Sequence, residues 1–207
     1  MTTLRPAARL IAVKRALVGI VVIGILIHTY VNGIPARGAN PFDYFGYFTN
    51  LTSLLTGGIL VATGVVTLVA GSAPRMLHAV RGVAVACMIV VALVYNLVVP
   101  GTGSAPPWVS LTLHLVFPLL LVFDWLLVAD RPALPWRRLW LVLPYPIVWL
   151  VVVLVRGATD GWVPYGFLLP ERGIGALSAT TAGLLVALLA AGALVWLMSR
   201  ARFFAAR

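Results

Sequence analysis

Six apolar runs, each about long enough to cross a bilayer as a helix, dominate this chain of 207 residues. A transmembrane helix needs roughly 20 apolar residues. The runs at about 14–31, 44–70, 79–99, 107–129, 139–155 and 173–198 meet that length. Backbone amides cannot stay unpaired in hydrocarbon, so runs of this length are expected to be helical. Turn-rich connections separate them at 32–41, 71–74, 100–107, 130–135 and 157–170, marked by Gly, Pro, Asn and Asp. The fifth run is short and contains Pro144 and Pro146, so it should enter the membrane kinked. The expected fold is all-α: a polytopic membrane protein with one six-helix domain over residues 1–207.

Composition excludes a water-soluble globule. Only 10% of residues are charged and the mean hydropathy is +1.06, where soluble domains carry about 25% charged residues. The net charge of +10 is not a nucleic-acid footprint, because the basic residues sit in short clusters between the apolar runs. One side of the expected topology collects twelve of them: Arg5, Arg9, Lys14, Arg15, Arg75, Arg81, Arg131, Arg137, Arg138, Arg200, Arg202 and Arg207. The other side has three, Arg37, Arg156 and Arg172. That asymmetry predicts both termini in the cytoplasm of a cell-membrane protein. No small-x-small site follows the first run, so it is expected to be retained rather than cleaved as a signal peptide.

Polar residues inside spans are the first place to look for function. With this orientation they fall in one outer layer. His28 ends the first span, Thr49, Asn50, Thr52 and Ser53 begin the second, and Tyr95 and Asn96 end the third. Ser110, Thr112 and His114 lie in the outer half of the fourth. The deeper threonines, Thr56, Thr63 and Thr67, continue the face of Thr49 and Thr52 and read as helix packing.

His114 is the sharpest single residue. Pro118, four positions later, cannot donate to the His114 carbonyl, so the helix should bend there and open a polar pocket. Thr49 lies roughly 8 Å below the start of its span and His114 roughly 10 Å below the start of its own, at 1.5 Å per residue. The two can therefore meet at one level if spans two and four are neighbours. Asp124 lies too far along its helix to orient that imidazole, and Arg81 or Arg131 is its expected partner. His78 is expected in a solvated loop. Three histidines at two membrane faces and the single Cys87 make no metal ligand set, and no metal or cofactor is expected.

Three short motifs then resemble one family. Tyr47-Phe48-Thr49-Asn50-Leu51-Thr52 resembles the segment holding the nucleophilic threonine of the androgen-induced membrane hydrolases. His114-Leu115-Val116-Phe117-Pro118 resembles the stretch holding their catalytic histidine. Gly161-Trp162-Val163-Pro164-Tyr165-Gly166-Phe167-Leu168 is similar to their outer motif before the last helix. The composition is similar to that of a bacterial member. The resemblance implies hydrolysis of fatty-acid esters of hydroxy fatty acids within the membrane, by Thr49 and His114. Asn50, Asn96 and Ser110 are candidates for binding the oxyanion or orienting the base. His28, Tyr47, Thr52, Tyr95 and Pro118 are candidates for the substrate pocket. The expected partners are a fatty-acyl ester substrate and membrane lipids, with the oligomeric state open.

Two other classes use the same polar layer. A lipid-binding or regulatory membrane protein would hold a head group there without turnover. A transporter would need polar groups continuing through the inner half, which is nearly all Val, Leu, Ala and Gly.

Overall fold

The computed structural model describes residues 5–101, 103 and 105–201, and Arg202 and Arg207 of the charge count lie outside these. The chain is all-α, and six helices among the described residues are long and apolar enough to cross a membrane. The first, α1, runs over Pro6–Arg37, well past both expected ends. Pro6 suits the first helical position, where its missing N–H costs nothing.

The run expected at 44–70 is two helices. A short α2, Pro41–Gly46, is capped by Asn40, whose side chain accepts from the Phe42 amide at 3.0 Å. Tyr47 is extended, and α3 then runs over Phe48–Ala70. This break puts Thr49 in the first turn of α3, where amides have no helical acceptor.

Helix α4, Arg75–Leu97, is the central element and packs against α3, against α6 (Phe117–Leu127) and against α8 (Gly173–Met198). Between α4 and α6 the chain forms α5, Pro107–Leu111, and a π-turn, Thr112–Val116. The expected kink of the fifth span is a change of helix type: a 3-10 helix at Trp136–Val142, then α7 over Pro144–Thr159. Two 3-10 turns, Gly166–Leu168 and Pro170–Arg172, lead into α8.

Small residues let α1 and α3 touch. A Cβ at Gly57 would lie 3.1 Å from the Gly19 carbonyl, and one at Gly64 would lie 3.0 Å from the Ala16 Cβ. Lipid supplies little hydrophobic drive between helices, so close backbone approach has to supply the contact. The deeper threonine stripe behaves as expected of packing: Thr56 and Thr63 are buried, and Thr63 bonds back to the Ile59 carbonyl at 2.7 Å.

Two sequence expectations are corrected at the end of the bundle where α1 and α4 begin. His78 is not in a solvated loop. Pro74 starts α4 at Arg75, which carries His78 into the bundle with 4% of its surface exposed. Asp124 pairs with Arg15 at 2.9 Å rather than with Arg81 or Arg131. Asp130, beyond the end of α6, takes Arg81 at 2.7 Å and also meets Arg15. Arg131 instead lies over the Trp125 ring at 4.4 Å and donates to the Met198 carbonyl at 2.8 Å. These charges are paired or stacked, as buried ions have to be.

Candidate functional site

A cavity of about 940 Å³ opens at the opposite end of the bundle from this charge cluster. Its walls come from the last turns of α1, the start of α3, the C-terminal half of α4, the π-turn, α7, α8 and the 162–172 connection. Its deep surface is aliphatic, with Val90 and Val91 of α4 facing Leu184 and Leu188 of α8. Its polar groups gather near the mouth.

The first of these groups is Thr49. Its neighbour Asn50 donates to the Tyr44 carbonyl at 2.8 Å, tying α2 to α3, while the Tyr44 hydroxyl reaches the Leu26 carbonyl at 3.1 Å. The third motif folds onto the first. Trp162 and Tyr165 meet the Tyr47 ring edge-on at 5.9 and 5.8 Å. A Cβ at Gly46 would collide with the Trp162 indole, so a glycine there is what lets the connection close down. The Tyr165 phenol lines the same wall as Phe48 and Thr49. Burial pushes that phenol up to about 12, with the Thr49 hydroxyl and the Phe48 and Thr49 amides pulling the other way.

The second group is His114, in the middle of the π-turn. Its Nδ1 lies 2.9 Å from the Ser110 carbonyl and 3.2 Å from the Ser110 hydroxyl. A carbonyl can only accept, so Nδ1 carries the proton and Nε2 of the neutral ring is the basic nitrogen. The ring stacks on Tyr95 at 3.5 Å and 10°, and the Ser110 hydroxyl donates to the Tyr95 hydroxyl at 2.6 Å. Behind the ring, Asn96 donates to the His114 carbonyl at 3.1 Å. That is the acceptor Pro118 leaves without a helical partner, so the expected break takes the form of a π-turn held by a side chain.

The structure therefore brings Tyr47, Thr49, Asn50, Tyr95, Ser110 and His114 to one cavity. Thr49 and His114 share its walls, with the His114 imidazole bonded to Ser110. Four expected residues do not line it. His28 is exposed on α1, bonded to Asn32 and tilted against Trp108 at 6.4 Å. Thr52 is buried and exchanges a hydrogen bond with the Tyr145 hydroxyl at 2.8 Å. Asn96 and Pro118 act behind the His114 ring rather than in the cavity.

Sequence reading did not place Tyr165, Arg37 or Arg172 on the cavity wall. Tyr165 stood in the third motif, but nothing in the chain order said it would share a wall with Thr49. Arg37 was counted only as a loop charge, although Gly33, one turn earlier, marks the space it uses.

Comparison with protein-family models, with curated proteins and with solved structures finds no match to this chain.

Proposed function

We propose that the chain is an intramembrane hydrolase of lipophilic esters, with Thr49 as nucleophile and His114 as base. One observation carries the reading: a threonine on the exposed amides of a helix start shares a cavity with a histidine whose Nδ1 proton is tied to a carbonyl. A threonine hydroxyl is a poor nucleophile unless a positioned base removes its proton. With Nδ1–H held by Ser110, Nε2 is the acceptor, and the Ser110 carbonyl takes the orienting place that an acid fills in a triad.

In this reading the ester enters with its acyl chain along the Val and Leu walls. Thr49 Oγ1 gives its proton to His114 Nε2 and attacks the carbonyl carbon. The Tyr165 hydroxyl and the amides at the start of α3 would bind the oxyanion. The ester C–O bond breaks, and His114 returns the proton to the departing alcohol. Water, deprotonated by His114, then cleaves the acyl-threonine, releasing the acid and restoring Thr49. Substrate has to bring Thr49 and His114 together, in keeping with catalytic bonds that tighten only in the complex. The positive-inside asymmetry would put the cavity mouth on the non-cytoplasmic face of a cell membrane. The family resemblance points to fatty-acid esters of hydroxy fatty acids as substrates.

The test is covalent. A long-chain fluorophosphonate should label the purified protein on the peptide bearing Thr49, and Thr49→Ala should lose both label and ester hydrolysis. Label on another residue, or undiminished hydrolysis by Thr49→Ala, would overturn the reading. A folded chain that carries a tightly held lipid and hydrolyses no ester would be a lipid-binding protein instead.

A further inference from the structure

Arg37 is the last residue of α1, and Gly38 turns the chain away behind it with φ +79°. Its side chain does not follow the chain outward. It folds back along its own helix, bringing Nη2 to 3.5 Å from the Thr29 carbonyl, two turns earlier. The guanidinium occupies ground only a glycine leaves open: a Cβ at Gly33 would lie 2.8 Å from Arg37 Cζ and collide with Nη2. Thr29, Gly33 and Arg37 all line the cavity, and the Arg37 charge acts on the Tyr44 hydroxyl.

Among the residues lining the cavity the charged side chains are Arg37, Arg172 and Asp43. Arg172 lines the cavity as well, from the connection before α8. The acid at the mouth, Asp43, is held by Arg156 at 2.7 Å. A guanidinium fork suits carboxylate and phosphate oxygens in a two-point contact. Below it, the walls are aliphatic.

We propose that Arg37 anchors the anionic head of a single amphiphile whose chain runs down the cavity, a long-chain carboxylate or an alkyl phosphate. This rests on reading the cavity as a ligand site and not on hydrolysis. The test is equilibrium binding to the purified full chain in a nonionic detergent, with Thr49→Ala present in every sample so that the ester probe is not consumed. The probes are a fluorescent long-chain fatty acid, its methyl ester, and an alkyl monophosphate of equal chain length. An anionic probe should bind about tenfold or more tighter than the methyl ester. The tighter of the two anionic probes identifies the head group.

Arg37→Gln should remove that preference and leave methyl-ester binding unchanged. Gly33→Ala should do the same with Arg37 still present. Its Cβ meets only the far end of a flexible side chain, so the helix should fold normally while the guanidinium moves. Equal binding of acid and methyl ester with Arg37 and Gly33 unaltered would overturn the proposal. So would Arg37→Gln weakening both probes alike, or Gly33→Ala keeping the preference. Failure of ester hydrolysis by the chain with Thr49 intact would end the hydrolase reading and leave this one standing.

Discussion

The side-chain amide of Asn96 donates to the backbone carbonyl of His114 at 3.1 Å, across from α4 to the π-turn. The bond replaces the helical one that Pro118 cannot make, so a cost in backbone pairing at the break becomes a contact between helices. It also fixes the level at which the imidazole enters the cavity.

This relationship predicts a coupled pair. Asn96→Ala should lower stability by about 0.6–2 kcal/mol, the range for an interhelical hydrogen bond or an orphaned acceptor. Pro118→Ala restores an N–H that can reach the same carbonyl. In that background the loss of Asn96 should cost clearly less. Thermal unfolding of the four proteins in detergent gives the interaction energy directly. Additive effects would mean that the carbonyl is not shared.

The helix break was legible because it is covalent: proline at 118 removes a donor wherever the helix sits. What filled the gap was not, since only packing brings Asn96 beside His114. The same division explains the misplaced partner of Asp124. Arg131 is near in sequence, but Arg15 arrives through the close α1–α3 contact at Gly19, Gly57 and Gly64, and Asp130 claims Arg81. His78 was misread because its burial depends on where α4 starts, and Pro74 sets that one turn earlier than hydropathy does. Spans and polar layer follow from composition along the chain. Tyr165 takes its place through the folding of the 162–172 connection onto the start of α3, which no local pattern encodes, whereas Arg37 folds back over Gly33 of its own helix.

The charge cluster predicts a contrast between carboxylates. Arg81 and Arg15 outweigh burial and hold Asp130 well below the usual carboxylate range. Its stabilising effect is thus present above the unfolded value of about 3.9 and lost as pH falls through the lower folded value. Asp130→Asn removes the carboxylate partner of the buried Arg81, leaves Arg15 with Asp124 alone, and should cost about 3–5 kcal/mol. Asp160→Asn, at an exposed pair with Arg156, should change the unfolding temperature little. Asp124→Asn should destabilise the bundle yet leave turnover per folded molecule largely intact, because the cavity is at the other end.

Tyr165 gives a pH signature. Its phenol, pushed up to about 12 by burial, stays a neutral donor over the working range. Stability should hold up to the unfolded value of about 10 and decline as pH rises from there to about 12. Tyr165→Phe should lack that decline, and its ester turnover should fall by about 10²–10³, the effect of removing an oxyanion donor. Unfolding curves that stay parallel between the two proteins across this window would separate the hydroxyl from Thr49.

The charge asymmetry predicts which end faces the cytoplasm. Ala39, Gly103 and Ala133 are exposed, and Cys87 is buried and should stay silent. Cysteines at Ala39 and Gly103 should react with a membrane-impermeant thiol reagent in intact cells, and one at Ala133 only after lysis. Labelling at Ala133 alone would invert the topology and place the cavity mouth in the cytoplasm.

The proposed pairing of Thr49 with His114 predicts unequal losses from conservative changes. Thr49→Ser keeps the hydroxyl but drops the methyl that restricts its rotamer, so measurable hydrolysis should survive. Thr49→Ala and His114→Ala should each remove nearly all turnover of a long-chain ester, and the double variant should be no worse than either single one. Residues acting as a unit are strongly non-additive in this way. Ser110→Ala is the informative control. It removes the hydroxyl 3.2 Å from Nδ1 and keeps the carbonyl at 2.9 Å. If the carbonyl orients the base, this variant should retain most of its activity and an unchanged pH dependence. A loss as deep as that of His114→Ala would transfer the orienting role to the Ser110 hydroxyl and its bond to Tyr95. Additive losses for Thr49 and His114 would mean that the two side chains do not act in one step.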